Sequence, residues 1–291
     1  MKPLRSLLFV PAIHPQRMEK APQYGPDALI LDLEDTVPAA EKVPARENVA
    51  RYLQGGPSLP IYVRIDGEGT PFMEDDVRAV VWPGLAGLVL PKVETTDFVQ
   101  EVDRLVSDLE AERGLPAGSV EFVLFIETAL GVLHCYDLAK ASPRVVATTV
   151  AGADDGDLVR DLECTWTLEG TELLYARSKI LLDSRAAGIA YILEGVFADL
   201  QDDEGLEQET QRSKRLGYTG RPAIHPRQVP IINRVFTPTE EEVQYYRGLL
   251  EAFAAAEKAG QGVLQFQGKM IDYAMVKRAE RILERAQALG L

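Results

Sequence analysis

Acidic side chains gather where apolar stretches of this chain end. The run Ala28–Leu33 leads into Asp32-Leu33-Glu34-Asp35, three acids within four residues. Carboxylates this close repel one another unless a cation or a water network sits among them. The alternative is a helix cap from Asp35 or Thr36 ahead of Pro38, although a cap needs only one of the three. The run Phe122–Ile126 meets Glu127 directly, and a lone carboxylate there is costly to ionise without a cation. Its alternatives are a cap shared with Thr128 and a paired core glutamate. The run Val145–Val150 opens into Ala151-Gly152-Ala153-Asp154-Asp155-Gly156-Asp157, where glycines permit tight turns among crowded acids. That loop either binds a cation or caps the next helix.

Two cations stand in matching places. Arg64 interrupts the β-branched run Ile61–Ile65. A buried arginine needs an anionic partner, and its planar fork suits bidentate carboxylate recognition. A salt bridge to a neighbouring strand would serve equally. Lys92 follows Leu85–Leu90 and Pro91, either to draw in an anionic ligand or as a structural charge.

Carboxylates without clustered thiols or imidazoles favour a hard cation. Mg²⁺ takes oxygen ligands and keeps several waters, so two protein acids plus substrate oxygens would complete it. Zinc fits poorly, since His14, His134 and His225 are widely separated. No Ser/His/Asp or reactive-cysteine arrangement is signalled, and no glycine-rich phosphate loop precedes a helix.

The elements that must position these residues follow from the apolar runs. They are Leu7–Val10, Ala28–Leu33, Ile61–Ile65, Leu85–Leu90, Phe122–Ile126, Val145–Val150, Ile189–Leu193 and the weak Ala223–Ile224. They do not alternate with polar residues, as expected of parallel strands buried on both faces. Helical stripes separate them. Phe98, Val102, Leu105, Val106 and Leu109 form one, ended by Gly114 and Pro116; Leu173, Leu174, Ile180 and Leu181 form another, before Gly188. Eight runs with helices between them predict an α/β fold, a (β/α)₈ TIM barrel with additional C-terminal helices. An open doubly wound sheet is the alternative, without a GxGxxG after its first strand. The expected organisation is a catalytic barrel over residues 1–235 and a helical extension over 236–291. The tail stripe Val276, Ala279, Ile282, Leu283, Ala286 and Leu289 has no strand after it, so it must pack on the barrel or on another subunit. In such barrels chemistry sits at the carboxyl ends of the strands, where these acids and cations lie.

Composition bounds the partners. A net charge of −14 and a pI near 4.8 exclude a nucleic-acid or anionic-membrane surface. No segment approaches a membrane span, and no apolar signal segment follows Met1-Lys2-Pro3-Leu4-Arg5. Cys135 and Cys164 read as reduced packing residues, consistent with a cytoplasmic protein.

The chain resembles citrate lyase β-subunit-like proteins of the HpcH/HpaI aldolase/citrate lyase superfamily. The matching segments run almost end to end: Arg5-Ser6-Leu7-Leu8-Phe9-Val10-Pro11, Asp32-Leu33-Glu34-Asp35-Thr36-Val37, Val63-Arg64-Ile65, Pro91-Lys92, Glu127-Thr128-Ala129-Leu130-Gly131, Gly152-Ala153-Asp154-Asp155, Ile224-His225-Pro226 and Gly268-Lys269-Met270-Ile271-Asp272. The resemblance implies a Mg²⁺-dependent barrel, commonly trimeric, that cleaves or forms 3-hydroxyacyl thioesters. It implies Glu127 and Asp155 as metal ligands, Arg64 as the substrate-binding arginine, and Glu34 and Asp35 as holders of metal-bound waters. Asp157 is the fallback ligand, because Gly156-Asp157-Leu158 departs from the usual continuation. Malyl-CoA-lyase-like relatives carry Asp-Gly-Lys where this chain has Gln267-Gly268-Lys269. A neutral amide cannot act as a carboxylate base, which weighs against malate-synthase-like condensation and thioester hydrolysis.

The expected activity is Mg²⁺-dependent cleavage of a citryl-, citramalyl- or malyl-type thioester, on CoA or an acyl-carrier protein, to a 2-oxo acid such as oxaloacetate and an acetyl thioester. Arg64, Glu34 and Asp35 are the expected catalytic residues; Arg64, Glu127 and Lys92 are expected to bind substrate. The competing expectations are a thioester-independent aldolase on free 2-oxo acids and a non-catalytic oxo-acid or acyl-thioester binding subunit of a larger complex. A homotrimer is the expected assembly.

Overall fold

The computed structural model describes residues 4–291, in two compact units, 4–234 and 235–291. The opening stretch read as carrying no leader lies partly outside the described residues. In the first unit β1 (Ser6–Pro11), β2 (Ala28–Asp32), β3 (Ile61–Arg64), β4 (Leu85–Leu90), β5 (Glu121–Ile126), β6 (Val145–Val150), β7 (Tyr191–Leu193) and β8 (Arg221–Ala223) form one parallel sheet. Each strand pairs with its predecessor, except that β8 returns to pair with β1. A bridge from Leu193 to Gly220 closes the ring. It is held by the Thr219 N–H on the Ile192 carbonyl at 2.8 Å and the Glu194 N–H on the Gly220 carbonyl at 2.9 Å. The fold is the expected (β/α)₈ barrel.

Helices α1 (Pro15–Lys20), α2 (Lys42–Gln54), α3 (Met73–Val80), α4 (Thr96–Arg113), α5 (Ala129–Lys140), α6 (Asp157–Asp161), α7 (Leu174–Ala187), α8 (Asp203–Leu216) and α9 (Gln228–Phe236) follow successive strands, with α6 and α7 both after β6. Sequence signals set their ends. Thr95 and Thr128 cap α4 and α5 with their hydroxyls, and left-handed Gly114 and Gly188 end α4 and α7. Ile189, expected to begin the seventh strand, instead closes α7 through its N–H on the Ser184 carbonyl, so β7 starts at Tyr191. The eighth strand begins at Arg221, ahead of the expected Ala223, because a buried ion-paired arginine carries no apolar signal.

Alternation along the strands decides what faces the barrel axis. Leu7, Ala28, Ile30, Tyr62, Val89, Val123, Phe125, Ala147 and Leu193 form one buried cluster. Two residues beyond Ile30, Tyr62 and Phe125 come Asp32, Arg64 and Glu127. The inward apolar rows therefore end in charge at the carboxyl side. Near the other end the Tyr62 hydroxyl donates to Glu121 at 2.6 Å. Gly87 sits beside this pair, where a Cβ would stand 2.4 Å from the Glu121 carbonyl and 2.8 Å from the Tyr62 ring.

The second unit holds α10 (Glu240–Lys258), a hairpin of β9 (Leu264–Phe266) and β10 (Lys269–Ile271), and α11 (Tyr273–Ala288). Leu249, Phe253, Ile271 and Ala279 form its core. The tail was expected to be helical throughout, and the hairpin is an addition. Its turn is Gln267-Gly268, both at positive φ (46° and 80°), the pairing a two-residue hairpin loop requires. Among the described residues no helix is long and apolar enough to cross a membrane.

Candidate active site

The carboxyl ends of the strands surround a cavity of about 240 Å³. Asp32, Arg64, Glu127 and Asp157 supply its charge; Phe9, Phe125, Val196 and Ile224 supply much of its apolar wall.

Arg64 is the hub. Its Nε and Nη2 each donate to an Asp32 oxygen at 2.7 Å, a bidentate pair, and its Nη1 stands 2.7 Å from Glu34 Oε2. The last contact is an ion pair without hydrogen-bond alignment, which leaves Oε2 buried and unsatisfied. The guanidinium lies 5.1 Å from the centre of the Phe9 ring. Burial alone would raise the Asp32 carboxyl, but Arg64 and the Thr36 hydroxyl outweigh it and hold the group below its usual range. At Glu34 burial wins and the carboxyl is pushed up, although Arg64 and Lys92 oppose the rise. The capping alternative for the first acid cluster does not apply. Asp32 accepts from the Glu34 N–H and the Thr36 hydroxyl, and α2 begins only at Lys42.

Lys92 is held in the left-handed region, φ 48°, which is strained for a side chain of this kind. That conformation turns its N–H onto Glu127 Oε2 at 2.9 Å while its Nζ reaches Glu34 at 2.6 Å and Asp35 at 3.2 Å. Lys92 Nζ is also 3.7 Å from Asp157.

Glu127 is 3 % exposed. Thr128, not Glu127, caps α5. Among the described residues no side-chain cation lies within ion-pair distance of Glu127; the charges of Arg64 and Lys92 act on it through space, and the one direct contact from either residue is the Lys92 backbone N–H. Burial pushes its carboxyl up to about 7. A carboxylate in this state must take a proton or a cation.

The structure separates Asp155 from Asp157 in the β6 loop. Asp155, at φ 55°, is 80 % exposed and hydrogen-bonded to Arg160 at 2.9 Å, which holds its carboxyl below the usual range. Asp157, the first residue of α6, lines the cavity with Glu127.

Charge around the cavity is unbalanced. Arg64 and Lys92 face Asp32, Glu34, Asp35, Glu127 and Asp157, two cations against five acids. Among the described residues no three His, Cys, Asp or Glu side chains converge as a complete metal cage. Two all-oxygen acids on one cavity wall nevertheless fit a Mg²⁺ ion, which takes one or two carboxylates and fills its remaining positions with water and substrate.

Sequence reasoning missed Lys42. This buried lysine donates to the carbonyls of Leu33 at 2.5 Å and Glu34 at 3.1 Å and to Asp66 at 2.8 Å. It pins the backbone of the first acid cluster. A lone lysine at the start of a helix gives no sign of this.

The family model described as HpcH/HpaI aldolase/citrate lyase matches residues 5–226, and one described as C–C bond lyase of the TIM-barrel fold matches residues 179–291. The citrate lyase subunit beta of Leuconostoc mesenteroides subsp. cremoris is 38% identical over 98% of this chain and 93% of its own length. An L-malyl-CoA/beta-methylmalyl-CoA lyase of Cereibacter sphaeroides is 34% identical over 99% of this chain and 96% of its own. Among solved structures, the CitE protein of Mycobacterium tuberculosis in complex with magnesium, acetoacetate and coenzyme A is 29% identical, with a TM-score of 0.77 over 98% of each chain.

Proposed function

The chain belongs to the HpcH/HpaI aldolase/citrate lyase family and is a carbon–carbon lyase, and on that premise we propose that it cleaves a 3-hydroxyacyl thioester, carried by CoA or an acyl-carrier protein, to a 2-oxo acid and an acetyl thioester in a Mg²⁺-dependent reaction. The observation that carries this reading is Glu127, buried at the cavity with, among the described residues, no side-chain cation within ion-pair distance.

Glu127 and one acid of the β6 loop would hold the ion, either Asp155, the ligand implied by the family motif, or Asp157, which shares the cavity with Glu127. The bound ion supplies Lewis acidity to the hydroxyl being deprotonated and to the developing carbonyl oxygen. Arg64 receives a substrate carboxylate. Asp32 holds the Nε–Nη2 edge of the guanidinium and so fixes its orientation in advance, which lowers the cost of orientation when substrate arrives. Lys92 holds Glu34 and Asp35 beside that fork. The substrate hydroxyl loses its proton through water to Asp35 or Glu34. The bond between the hydroxyl-bearing carbon and the thioester α-carbon breaks, and the α-carbon takes up a proton. Phe9, Phe125 and Val196 limit water around the reacting carbon. A homotrimer is the proposed assembly.

The test is turnover of citryl-, citramalyl- and malyl-CoA with Mg²⁺ and with chelator, in wild type and in Glu127→Gln. The expected result is chelator-sensitive cleavage of at least one thioester, absent from the folded variant. Mg²⁺-dependent turnover surviving in Glu127→Gln would sink the assignment. Gln267, standing where malyl-CoA-lyase-like relatives carry an acid, favours a second reading, an aldolase on free 2-oxo acids. Cleavage of the free hydroxy-oxo acid without any thioester would establish it.

A further inference from the structure

We propose that Asp161 is a positioning residue for the divalent-cation site: its carboxylate ties α6 to the first residue of α5 and thereby sets the spacing between the acid of the β6 loop and Glu127. The inference rests on the Mg²⁺-dependent reading above and adds a residue that touches neither ion nor substrate.

The two acids ride on segments with unequal support. Glu127 follows β5 directly, is buried, and leads within two residues into α5, a helix of 12 residues. The other acid, Asp155 or Asp157, belongs to the connection between β6 and α7, where the helix is α6, five residues long. A helix this short has little stability of its own and lies where its contacts place it. Its N-cap is Gly156, which offers no side-chain cap. Both flanks hold a non-glycine residue in the left-handed region, Asp155 at φ 55° and Glu163 at φ 51°. Such backbone is costly and persists where the surroundings enforce it.

Part of that enforcement comes from Asp161, the last residue of α6. The Ala129 N–H donates to its Oδ2 at 2.6 Å. Ala129 is the first residue of α5 and stands two positions after Glu127. The first amides of a helix lack partners within it and carry partial positive charge, so a carboxylate is a strong acceptor there. The Thr128 hydroxyl serves the Gly131 N–H at 3.1 Å, and Asp161 completes the cap from another element.

The register of α6 follows from this bond. Residues four apart share a helix face, so Asp157 and Asp161 lie on one side of α6. Asp161 meets the start of α5, and Asp157 reaches the cavity that Glu127 also lines. Leu158 and Val159 hold α6 by buried apolar contact, which has no direction of its own. The Asp161 bond is directional, and it joins α6 to the segment carrying Glu127. Mg²⁺ demands near-ideal octahedral geometry, so a small displacement between two ligating carboxylates weakens binding.

The experiment titrates the full chain with Mg²⁺ alone by calorimetry, in wild type and four variants. Asp161→Ala removes the acceptor; Asp161 is exposed, so this opens no core. Asp161→Asn keeps an acceptor oxygen and loses the charge. Ala129→Pro keeps the charge and removes the donor; proline suits the first helical position, and Thr128 before it is already extended, φ −135° and ψ 159°. The fourth combines Asp161→Ala with Ala129→Pro. Asp161→Ala and Ala129→Pro should each weaken Mg²⁺ binding about tenfold, and the double variant no further than either. Asp161→Asn should stay within about threefold of wild type. Equal weakening in Asp161→Ala and Asp161→Asn, with none in Ala129→Pro, would reduce the effect to charge and overturn the positioning role. Mg²⁺ bound by Asp161→Ala as tightly as by wild type would overturn it as well and leave the metal-dependent reading standing. A wild type that binds no Mg²⁺ would take down both.

Discussion

Two of the barrel's clusters of buried charge differ in how they are balanced. One is the cavity cluster around Arg64. The other lies between β7, β8, α7 and α8. There Arg177 donates to Glu194 at 3.2 Å and to Glu209 at 2.7 Å, and Arg221 pairs with Glu209. Arg212 adds a further contact to Glu209 at 3.1 Å, and the Ser213 hydroxyl donates to Glu194 at 2.6 Å. Every acid in this second cluster touches a guanidinium. Burial alone would raise the Glu194 carboxyl, but Arg177 and Arg221 outweigh it and hold the group low. At Glu127, equally buried, no side-chain cation among the described residues is in contact and the carboxyl rises. Burial of charge is therefore a poor mark of function by itself. A buried acid lacking its counter-ion beside a cavity is the better mark, since it leaves work for a ligand to do.

The comparison can be broken most directly by activity. Arg64→Ala should lower kcat/KM about a thousandfold, roughly 4 kcal/mol of transition-state stabilisation. Arg221→Met should lower stability by about 3 kcal/mol, because Glu209 loses a buried partner, yet leave kcat/KM of the folded fraction near wild type. Denaturant melts and steady-state assays on both variants check this. A loss of activity in folded Arg221→Met to match that of Arg64→Ala would erase the distinction between the clusters.

A sharper comparison uses one substitution at both places. Glu127 binds its proton more tightly folded, at about 7, than unfolded, near 4.5. Its ionisation therefore destabilises the metal-free protein progressively as pH rises from 4.5 to 7, by up to about 3 kcal/mol. Glu127→Gln removes that penalty, so the variant should melt above wild type at pH 8 in chelator and alongside it near pH 4. Glu194 has the opposite sign. Its lowered carboxyl contributes stability that is present above its unfolded value and lost as pH falls through the folded one. Glu194→Gln should therefore melt below wild type at pH 8. Shifts of the same sign in both variants would contradict the contrast.

The smallest effect is expected at Lys42. Lys42→Met frees the carbonyls of Leu33 and Glu34 and unpairs Asp66. Mg²⁺ affinity, read by calorimetry, should fall several-fold, about 1 kcal/mol. An unchanged affinity would mean that the acid cluster keeps its geometry without the lysine.

Much of this was legible in the chain before folding. Seven of the eight strands announced themselves as apolar runs, because parallel strands covered on both faces must be apolar on both. The weak eighth run was misplaced, since its first residue is an ion-paired arginine. Asp32, Arg64 and Glu127 stood out as charges at the ends of such runs. The closed cluster gave no comparable signal. Arg177, Glu209 and Arg221 lie on three separate elements and Glu194 just beyond a fourth, and each looks like an ordinary helix or strand-end charge. The hairpin at Gln267-Gly268 was also hidden, as its strands are three residues each and its left-handed turn uses a glutamine.

By itself the sequence determined the number of barrel strands, the family and which strand ends carry charge, because these depend on local composition and order. Tertiary structure alone decided what those charges do. A run that is apolar at every position does not reveal which parity faces the axis. Closing the ring fixed that parity and turned Asp32, Arg64 and Glu127 inward while Glu194 turned toward α7 and α8. It also paired Asp155 with Arg160 and brought Asp157 to the cavity. Whether a buried acid is compensated depends on residues tens of positions away, and only the folded chain brings them within reach.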